Sequence, residues 1–150
     1  MPTLSHMLWF NDQAEEAATF YTSLLPKSEI LNISRGADNK AFTVQFSLLG
    51  TTYTALNGGP VFTPNEAFSI VINVDGQEEL DKYWYALTSE GGSEGRCGWL
   101  KDRFGLSWQV VPRQLGECLG HPDPEKAGRA MQAMMGMGKL VVAELEAAVA

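Results

Sequence analysis

The sequence predicts an α+β fold that consists of two copies of a βαβββ module followed by C-terminal helices. A strand–cap–helix pattern occurs twice, and aligning Asp12 with Asp75 also aligns four further pairs of similar residues. These pairs are Glu15 with Glu78, Glu16 with Glu79, Phe20 with Tyr83, and Tyr21 with Trp84. In both halves, short strand-like runs separated by turn residues follow the helix. The alternative explanation is that any two amphipathic helices with acidic first turns look alike.

The first module is predicted to span residues 1–66. Residues 3–10 have the pattern of a strand, Asn11 and Asp12 supply a helix cap, and the helix runs to about Leu25. Three strand-like runs follow, over residues 29–35, 41–49 and 51–57. The order of one strand, one helix and three strands defines the module.

The second module is predicted to span residues 67–112. Residues 67–74 form its first strand, Asp75 caps its helix, and the helix runs to about Ser89. The module ends in a hairpin over residues 97–112, which contains two tryptophans, a phenylalanine and a glutamine. A strand that lines a small-molecule cavity often combines aromatic and amide side chains, whereas a purely structural hairpin seldom needs both.

Residues 113–150 are predicted to form a helical C-terminal extension of the same single domain. Asp123 caps a helix that has a proline in its first turn. Apolar residues follow at helical spacing: Ala127, Ala130, Met131, Met134 and Met135. A second short helix is predicted over residues 140–148. We expect the apolar stripe to pack on the sheets or on another subunit.

Composition and charge exclude several classes of function. The formal net charge is −7, so no basic surplus is present to bind nucleic acid or an anionic membrane. No apolar run approaches the roughly 18 residues of a membrane-spanning helix, and no signal peptide is visible. The two cysteines, Cys97 and Cys118, do not form a CxxC pair, which favours a reduced, cytoplasmic setting.

Four stretches of the chain are similar to one protein family. They are Leu8–Phe10 with Gln13–Tyr21, Ala55–Pro60, Cys97–Gln109, and the tail Asp123–Met135. They resemble the PhnB-like group, also called demethylubiquinone methyltransferase-like, of the vicinal oxygen chelate superfamily. That superfamily includes glyoxalases, antibiotic-resistance proteins and ring-cleaving dioxygenases. The resemblance implies a curved mixed sheet that forms a cup, and pairing as a homodimer.

The resemblance also raises the question of a metal. Superfamily enzymes typically hold one divalent metal through His, Glu or Gln side chains from the first and last strands of each module. The matching positions here are Ser5 or His6, Tyr53, Ser69 and Gln109. A hydroxyl, a phenol and an amide are poor ligands for such a cation. The sequence therefore predicts no bound metal and no cofactor, although a weak site at His6 and Gln109 stays an alternative.

Without a metal, the cup is predicted to bind a small molecule through apolar walls and a few hydroxyl and amide groups. The candidate ligand-binding residues are Ser5, Trp9, Tyr53, Asn57, Phe62, Ser69, Trp99, Asp102, Phe104 and Gln109. Asp102 lies between Lys101 and Arg103 and is interpreted as a solvated turn residue, with a general base as the alternative.

Three functional hypotheses remain open. The first is a dimeric protein that binds or senses a small, mostly apolar or aromatic compound without chemistry. The second is a superfamily enzyme, lyase or dioxygenase-like, with a weakly held metal or with metal coordination supplied by the substrate. The third is an interaction scaffold. A methyltransferase is disfavoured, because the sequence lacks a glycine-rich strand-to-helix loop for a nucleoside cofactor.

Overall fold

The computed structural model describes every residue from Met1 to Ala150, and the chain divides into two compact units, Met1–Pro64 and Asn65–Ala150. The first unit contains β1 (His6–Phe10), α1 (Ala14–Leu24), β2 (Ser28–Arg35), β3 (Ala41–Leu48) and β4 (Thr51–Asn57). The second contains β5 (Ser69–Val74), α2 (Gln77–Thr88), β6 (Ser93–Glu94), β7 (Trp99–Lys101), β8 (Ser107–Pro112), α3 (Arg113–Leu119), α4 (Pro124–Met135) and α5 (Val142–Ala148). The predicted α+β fold with two βαβββ modules is confirmed.

The first sheet has the strand order β1-β4-β3-β2, with β1 parallel to β4 and the other pairs antiparallel. Helix α1 covers one face, where Leu8, Phe10 and Phe46 are buried. The rings of Tyr21 on α1 and Phe46 on β3 lie 6.2 Å apart. Because side chains alternate along a strand, the other face carries a different set of residues. This open face of the first sheet includes Met7, Trp9, Thr43, Gln45, Thr54 and Leu56.

The second sheet repeats this plan with the strand order β5-β8-β7-β6, and only β5 and β8 are parallel. Helix α2 covers one face, and its Trp84 indole N–H donates a hydrogen bond of 2.7 Å to Glu94 on β6. On that face Leu100, Trp108 and Val110 are buried. The open face of the second sheet comprises Ser69, Val71, Asn73, Ser93, Trp99, Lys101, Ser107, Gln109 and Val111.

The first strand of each module begins later than the sequence predicts. Strand β1 begins at His6 instead of residue 3, and β5 begins at Ser69 instead of residue 67. Pairing with the neighbouring strand starts at His6 with Tyr53 and at Ser69 with Ser107. The preceding residues therefore have strand-like composition but no partner strand.

None of the predicted cap residues, Asn11, Asp12 and Asp75, occupies an N-cap position. Helix α1 begins at Ala14, whose N–H donates to the side chain of Asn57 at 2.8 Å. At α2 the N-cap is Gly76, which has a φ of 87°. The carboxylate of Asp75 instead accepts hydrogen bonds from α3, at the end of the second module. In the first module a residue of β4 therefore caps the helix in place of the predicted residues. In the second module the predicted cap residue binds side chains of α3 instead of the backbone of α2.

The C-terminal helices are part of the second unit. The backbone N–H of Cys97 donates to Met137 O and that of Gly98 donates to Gly138 O, both at 2.8 Å. The Gln77 side chain donates to Leu140 O at 3.1 Å and accepts from Val142 N at 2.7 Å. These bonds attach the chain between α4 and α5 to the start of α2 and to the hairpin.

Among the C-terminal helices, α4 was predicted and α3 was not. Asp123 caps α4 by accepting a hydrogen bond of 2.9 Å from Glu125 N. The apolar stripe of α4 is only partly buried, since Ala130 is 0% exposed whereas Met131 and Met135 are 43% and 61% exposed. No helix has the length and apolar character that would be needed to cross a bilayer.

Candidate functional site

The open face of the second sheet brings together three of the predicted ligand-binding residues. Ser69 lies on β5, Gln109 on β8 and Trp99 on β7, and Trp99 and Gln109 are directly paired across the sheet. The side-chain amide of Gln109 donates a hydrogen bond of 3.1 Å to the Ser69 hydroxyl. All three side chains are half-buried. An aromatic surface therefore lies beside a fixed amide and a hydroxyl.

A second row of polar side chains crosses the same face next to these three residues. Ser107 is paired with Ser69 on one side and with Lys101 on the other, and Lys101 is paired with Ser93. Lys101 also forms an ion pair with Glu66, just before β5. A cavity of about 290 Å³ lies here, and its lining includes Glu66, Ser93, Trp99, Lys101 and Ser107.

Sequence reasoning did not select Lys101, Ser93 or Glu66. The consecutive charges Lys101, Asp102 and Arg103 indicate a bend in the hairpin, but the structure places Lys101 as the last residue of β7. Period-two alternation from Trp99 would have placed Lys101 on the same face. No sequence signal pointed to Glu66, because its approach to Lys101 depends on the path of the loop before β5.

Asp102 and Phe104 lie in the turn between β7 and β8, and both are buried. One carboxylate oxygen of Asp102 accepts from the backbone N–H of Phe104 and of Leu106, at 2.9 and 3.0 Å. The other oxygen accepts from the Trp108 indole N–H at 2.8 Å. The interpretation of Asp102 as a solvated turn residue is therefore wrong, since it is 3% exposed. Its carboxylate organises the turn.

In the first unit, Trp9 and Phe62 form an aromatic pair. Their ring centroids lie 5.0 Å apart in an edge-to-face arrangement, and the Trp9 indole N–H donates to Gly59 O at 2.9 Å. A Cβ on Gly58 would lie 2.3 Å from the Trp9 ring, so only glycine fits there. The indole holds the loop after β4.

Ser5 precedes β1 and is exposed.

Tyr53 and Asn57 lie on the face of the first sheet that α1 covers. Their Cα partners on β1 are His6 and Phe10, whereas Trp9 is paired with Leu56. Paired residues share a face, so Tyr53 and Asn57 lie opposite to Trp9. Tyr53 is buried, and its ring stacks on Phe46 at 5.5 Å. Sequence reasoning took the register from the resemblance and did not test it against the buried alternation along β3.

Asn57 links two elements of the first unit. Its side-chain oxygen accepts from Ala14 N at 2.8 Å, and its amide donates to Ala41 O at 2.9 Å. We expect Asn57→Ala to lower the free energy of unfolding by about 2 kcal/mol, because it removes a helix cap and leaves a half-buried carbonyl unpaired. Urea unfolding measures this loss. Asn57→Asp keeps the acceptor for Ala14 and should lose less, and equal losses would contradict the capping role.

The residues at the superfamily's metal positions do not fit a divalent cation. The rings of His6 and Tyr53 pack against each other in a tilted arrangement, with ring centroids 5.3 Å apart. Burial raises the pKa of Tyr53, which disfavours the phenolate that a metal would need. Ser69 and Gln109 hydrogen-bond to each other. No group of three or more His, Cys, Asp or Glu side chains is arranged to hold a metal ion.

A larger cavity, of about 520 Å³, lies in the first unit and is lined mostly by charged and polar groups, including Asp12, Glu15, Arg35 and Lys40. Arg35 donates to both oxygens of Glu15, at 3.1 and 2.8 Å. The hydrogen bond from Arg35 lowers the pKa of Glu15. Asn57, which also lines this cavity, already uses both ends of its amide. This cavity is therefore a weaker candidate than the one beside Trp99.

The repeated module, with the same strand order in both sheets, defines the glyoxalase/bleomycin resistance fold of the vicinal oxygen chelate superfamily. The structure is similar to that of the PhnB protein from Bacillus cereus, with a TM-score of 0.68 and 29% identity over 74% of this chain and 99% of that one. It is similar to protein PA1353 from Pseudomonas aeruginosa, with a TM-score of 0.61 and 22% identity over 75% and 98% of the two chains. The fold is shared with FosX from Listeria monocytogenes, a fosfomycin resistance protein complexed with Mn(II) and sulfate. The two are 14% identical with a TM-score of 0.54, over 73% of this chain and 89% of that one.

The family model described as 3-demethylubiquinone-9 3-methyltransferase matches residues 2–111. The chain therefore belongs to this PhnB-like family. The match ends one residue before the end of β8, so the C-terminal helices lie outside it. No curated protein matches the sequence.

Proposed function

We propose that this protein binds a small, mostly apolar or aromatic molecule on the open face of the second sheet, without a tightly bound divalent metal. The observation that carries the proposal is the grouping of Trp99, which lines a cavity, with Gln109 and Ser69 on the same face of the sheet. Small-molecule sites commonly combine an aromatic wall with a few fixed polar groups. The resemblance to the superfamily supports a homodimer, and the two free cysteines support a cytoplasmic setting.

The three side chains have distinct roles in this proposal. Trp99 offers a half-buried ring on which a flat ligand stacks. The NH₂ group of Gln109 donates to Ser69, so the amide is held in one orientation and its carbonyl oxygen remains as an acceptor. The ligand therefore needs a flat apolar part, and a hydrogen-bond donor attached to that part binds this carbonyl oxygen.

Binding is favoured over chemistry because the candidate general base Asp102 is not available to a substrate and no metal-ligating cluster lies at the site. Asp102 is committed to the turn, and no metal-ligating cluster is present to polarise a substrate. A superfamily enzyme with a weakly held metal is the alternative outcome. Mass spectrometry of molecules retained after native purification, with elemental analysis and a thermal-shift screen with divalent metals, separates the two. Stabilisation by a divalent metal alone would contradict the proposal.

We expect Trp99→Ala to weaken binding of the retained molecule by about ten-fold, because it removes the stacking surface. Gln109→Ala should also weaken binding, since it removes the acceptor. Phe42→Ala is the matched control, because Phe42 is an exposed aromatic residue of the first unit. Isothermal titration calorimetry measures the three dissociation constants. Equal affinities for Trp99→Ala and the control would place the site elsewhere.

A further inference from the structure

Ser107 lines the cavity beside Trp99 and has an unusual environment. It is 0% exposed, and its hydroxyl has no hydrogen-bond partner. A buried polar group without a partner is costly, and most buried hydroxyl groups in native proteins are paired. The hydroxyl lies in the row between Ser69 and Lys101. A ligand that brings an acceptor atom into this row would supply the missing hydrogen bond.

The ion pair of Lys101 with Glu66 lies at the same cavity. The Lys101 side chain is 41% exposed and that of Glu66 is 62% exposed. The hydrogen bond from Lys101 lowers the pKa of Glu66, so the glutamate stays ionised. An exposed ion pair of this kind contributes little to stability. A competing anion can therefore displace Glu66 from Lys101 at low cost.

We propose that Lys101 binds an anionic group of the ligand. Glu66 forms an ion pair with the Lys101 ammonium group until the ligand displaces it. The Ser107 hydroxyl then donates a hydrogen bond to the bound anion. The inference rests on the proposed function, because the ring of the same ligand stacks on Trp99. The ligand class that follows is a small aromatic carboxylate.

The geometry of the sheet allows a single ligand to contact Trp99 and Lys101 at the same time. Trp99 and Lys101 are two residues apart on β7 and project from the same face. Ser107 is directly paired with Lys101 across the strands, and directly paired side chains lie about 5 Å apart at Cβ. The cavity of about 290 Å³ is at the lower limit of small-molecule pockets, which hold about 300–1,000 Å³. A compound with one ring and one carboxylate fits this size.

The test compares two probes of similar shape by ¹⁹F NMR titration of the intact protein: para-fluorobenzoate, which is an anion, and para-fluorobenzamide, which is neutral and carries an NH₂ group in place of one carboxylate oxygen. We expect the benzoate to bind more tightly than the benzamide. Glu66→Gln should strengthen benzoate binding by about three-fold, because the competing carboxylate is gone, and leave the benzamide unchanged. Lys101→Gln should reduce benzoate binding to the level of the benzamide. Glu90→Gln is the matched control, since Glu90 pairs with Arg103 outside the cavity.

The outcomes separate this inference from the proposed function. Equal affinity of the protein for the two probes, or no effect of Glu66→Gln on benzoate binding, would overturn the anion site. In that case, binding of both probes that is weakened by Trp99→Ala would still support the proposed function. If neither probe binds, the result counts against the anion site and against the proposed function. Ser107→Ala adds a further check, because it should weaken binding of the benzoate more than binding of the benzamide, whose carbonyl oxygen is the weaker, uncharged acceptor. Since the hydroxyl has no hydrogen-bond partner in the protein, the substitution should not lower thermal stability.

Discussion

Asp102→Ala is expected to lower the free energy of unfolding by on the order of 3–5 kcal/mol, because it leaves three buried donors without an acceptor. Two of these donors are the backbone N–H groups of Phe104 and Leu106, and the third is the indole N–H of Trp108. Trp108 is 0% exposed, so water does not replace the lost bonds. For a chain of this length, the midpoint of thermal unfolding should fall by about 10 °C or more.

The individual bonds of this turn are separable. Asp102→Asn keeps one oxygen for the two backbone donors but turns an NH₂ group toward the Trp108 indole, so it should cost less than alanine. Adding Trp108→Phe removes the indole donor and should recover part of that cost in a double-mutant cycle. Asp12→Ala is the control, because Asp12 is exposed and does not cap α1. A loss for Asp102→Ala as small as that of the control would contradict the assigned role.

Leu140→Ala is the second substitution with a large expected effect. Leu140 is 0% exposed, and a Cβ placed on Gly98 would lie 3.0 Å from its Cδ1 atom. Truncating a buried leucine leaves a cavity and typically costs about 2–5 kcal/mol. We expect a loss of this size in urea unfolding.

The same measurement tests whether the C-terminal helices unfold with the second sheet. The carbonyl of Leu140 accepts from Gln77, and this bond does not depend on the leucine side chain. If the helices are integrated, the variant should lower the stability of the whole second unit in one transition. Met135→Ala is the control, since Met135 is 61% exposed and should change stability by less than about 0.5 kcal/mol. A separate early transition confined to residues 113–150 would show that the extension is independent.

The second sheet shows how far alternation along a strand predicts a site. Period-two spacing puts Ser69 on one face of the first strand of the second module and Gln109 on one face of its last strand, and the hairpin composition selects Trp99. The structure places all three on one open face. Alternation within each strand was sufficient to predict this shared face, because the register of β5 with β8 pairs Ser69 with Ser107, and Ser107 is on the same face of β8 as Gln109.

The first sheet shows where this reasoning fails. Tyr53 and Asn57 were grouped with Trp9, but a shift of one residue in register moves every side chain of a strand to the other face. The buried residues Val44 and Phe46 alternate with Thr43 and Gln45 on β3. This alternation was visible in the sequence and marks which face packs on α1. The face of Tyr53 follows from its pairing with Phe46.

By itself, the sequence determined the repeated module, the position of most helices and strands, and the aromatic hairpin. These features follow from spacing, caps and turns within short stretches of chain. Tertiary structure alone decided that Asn57 caps α1, that Asp102 is buried, and that Glu66 reaches Lys101 beside the unpaired Ser107 hydroxyl. Each of these depends on which distant groups meet in space, because a polar side chain takes its role from the partner that folding brings to it.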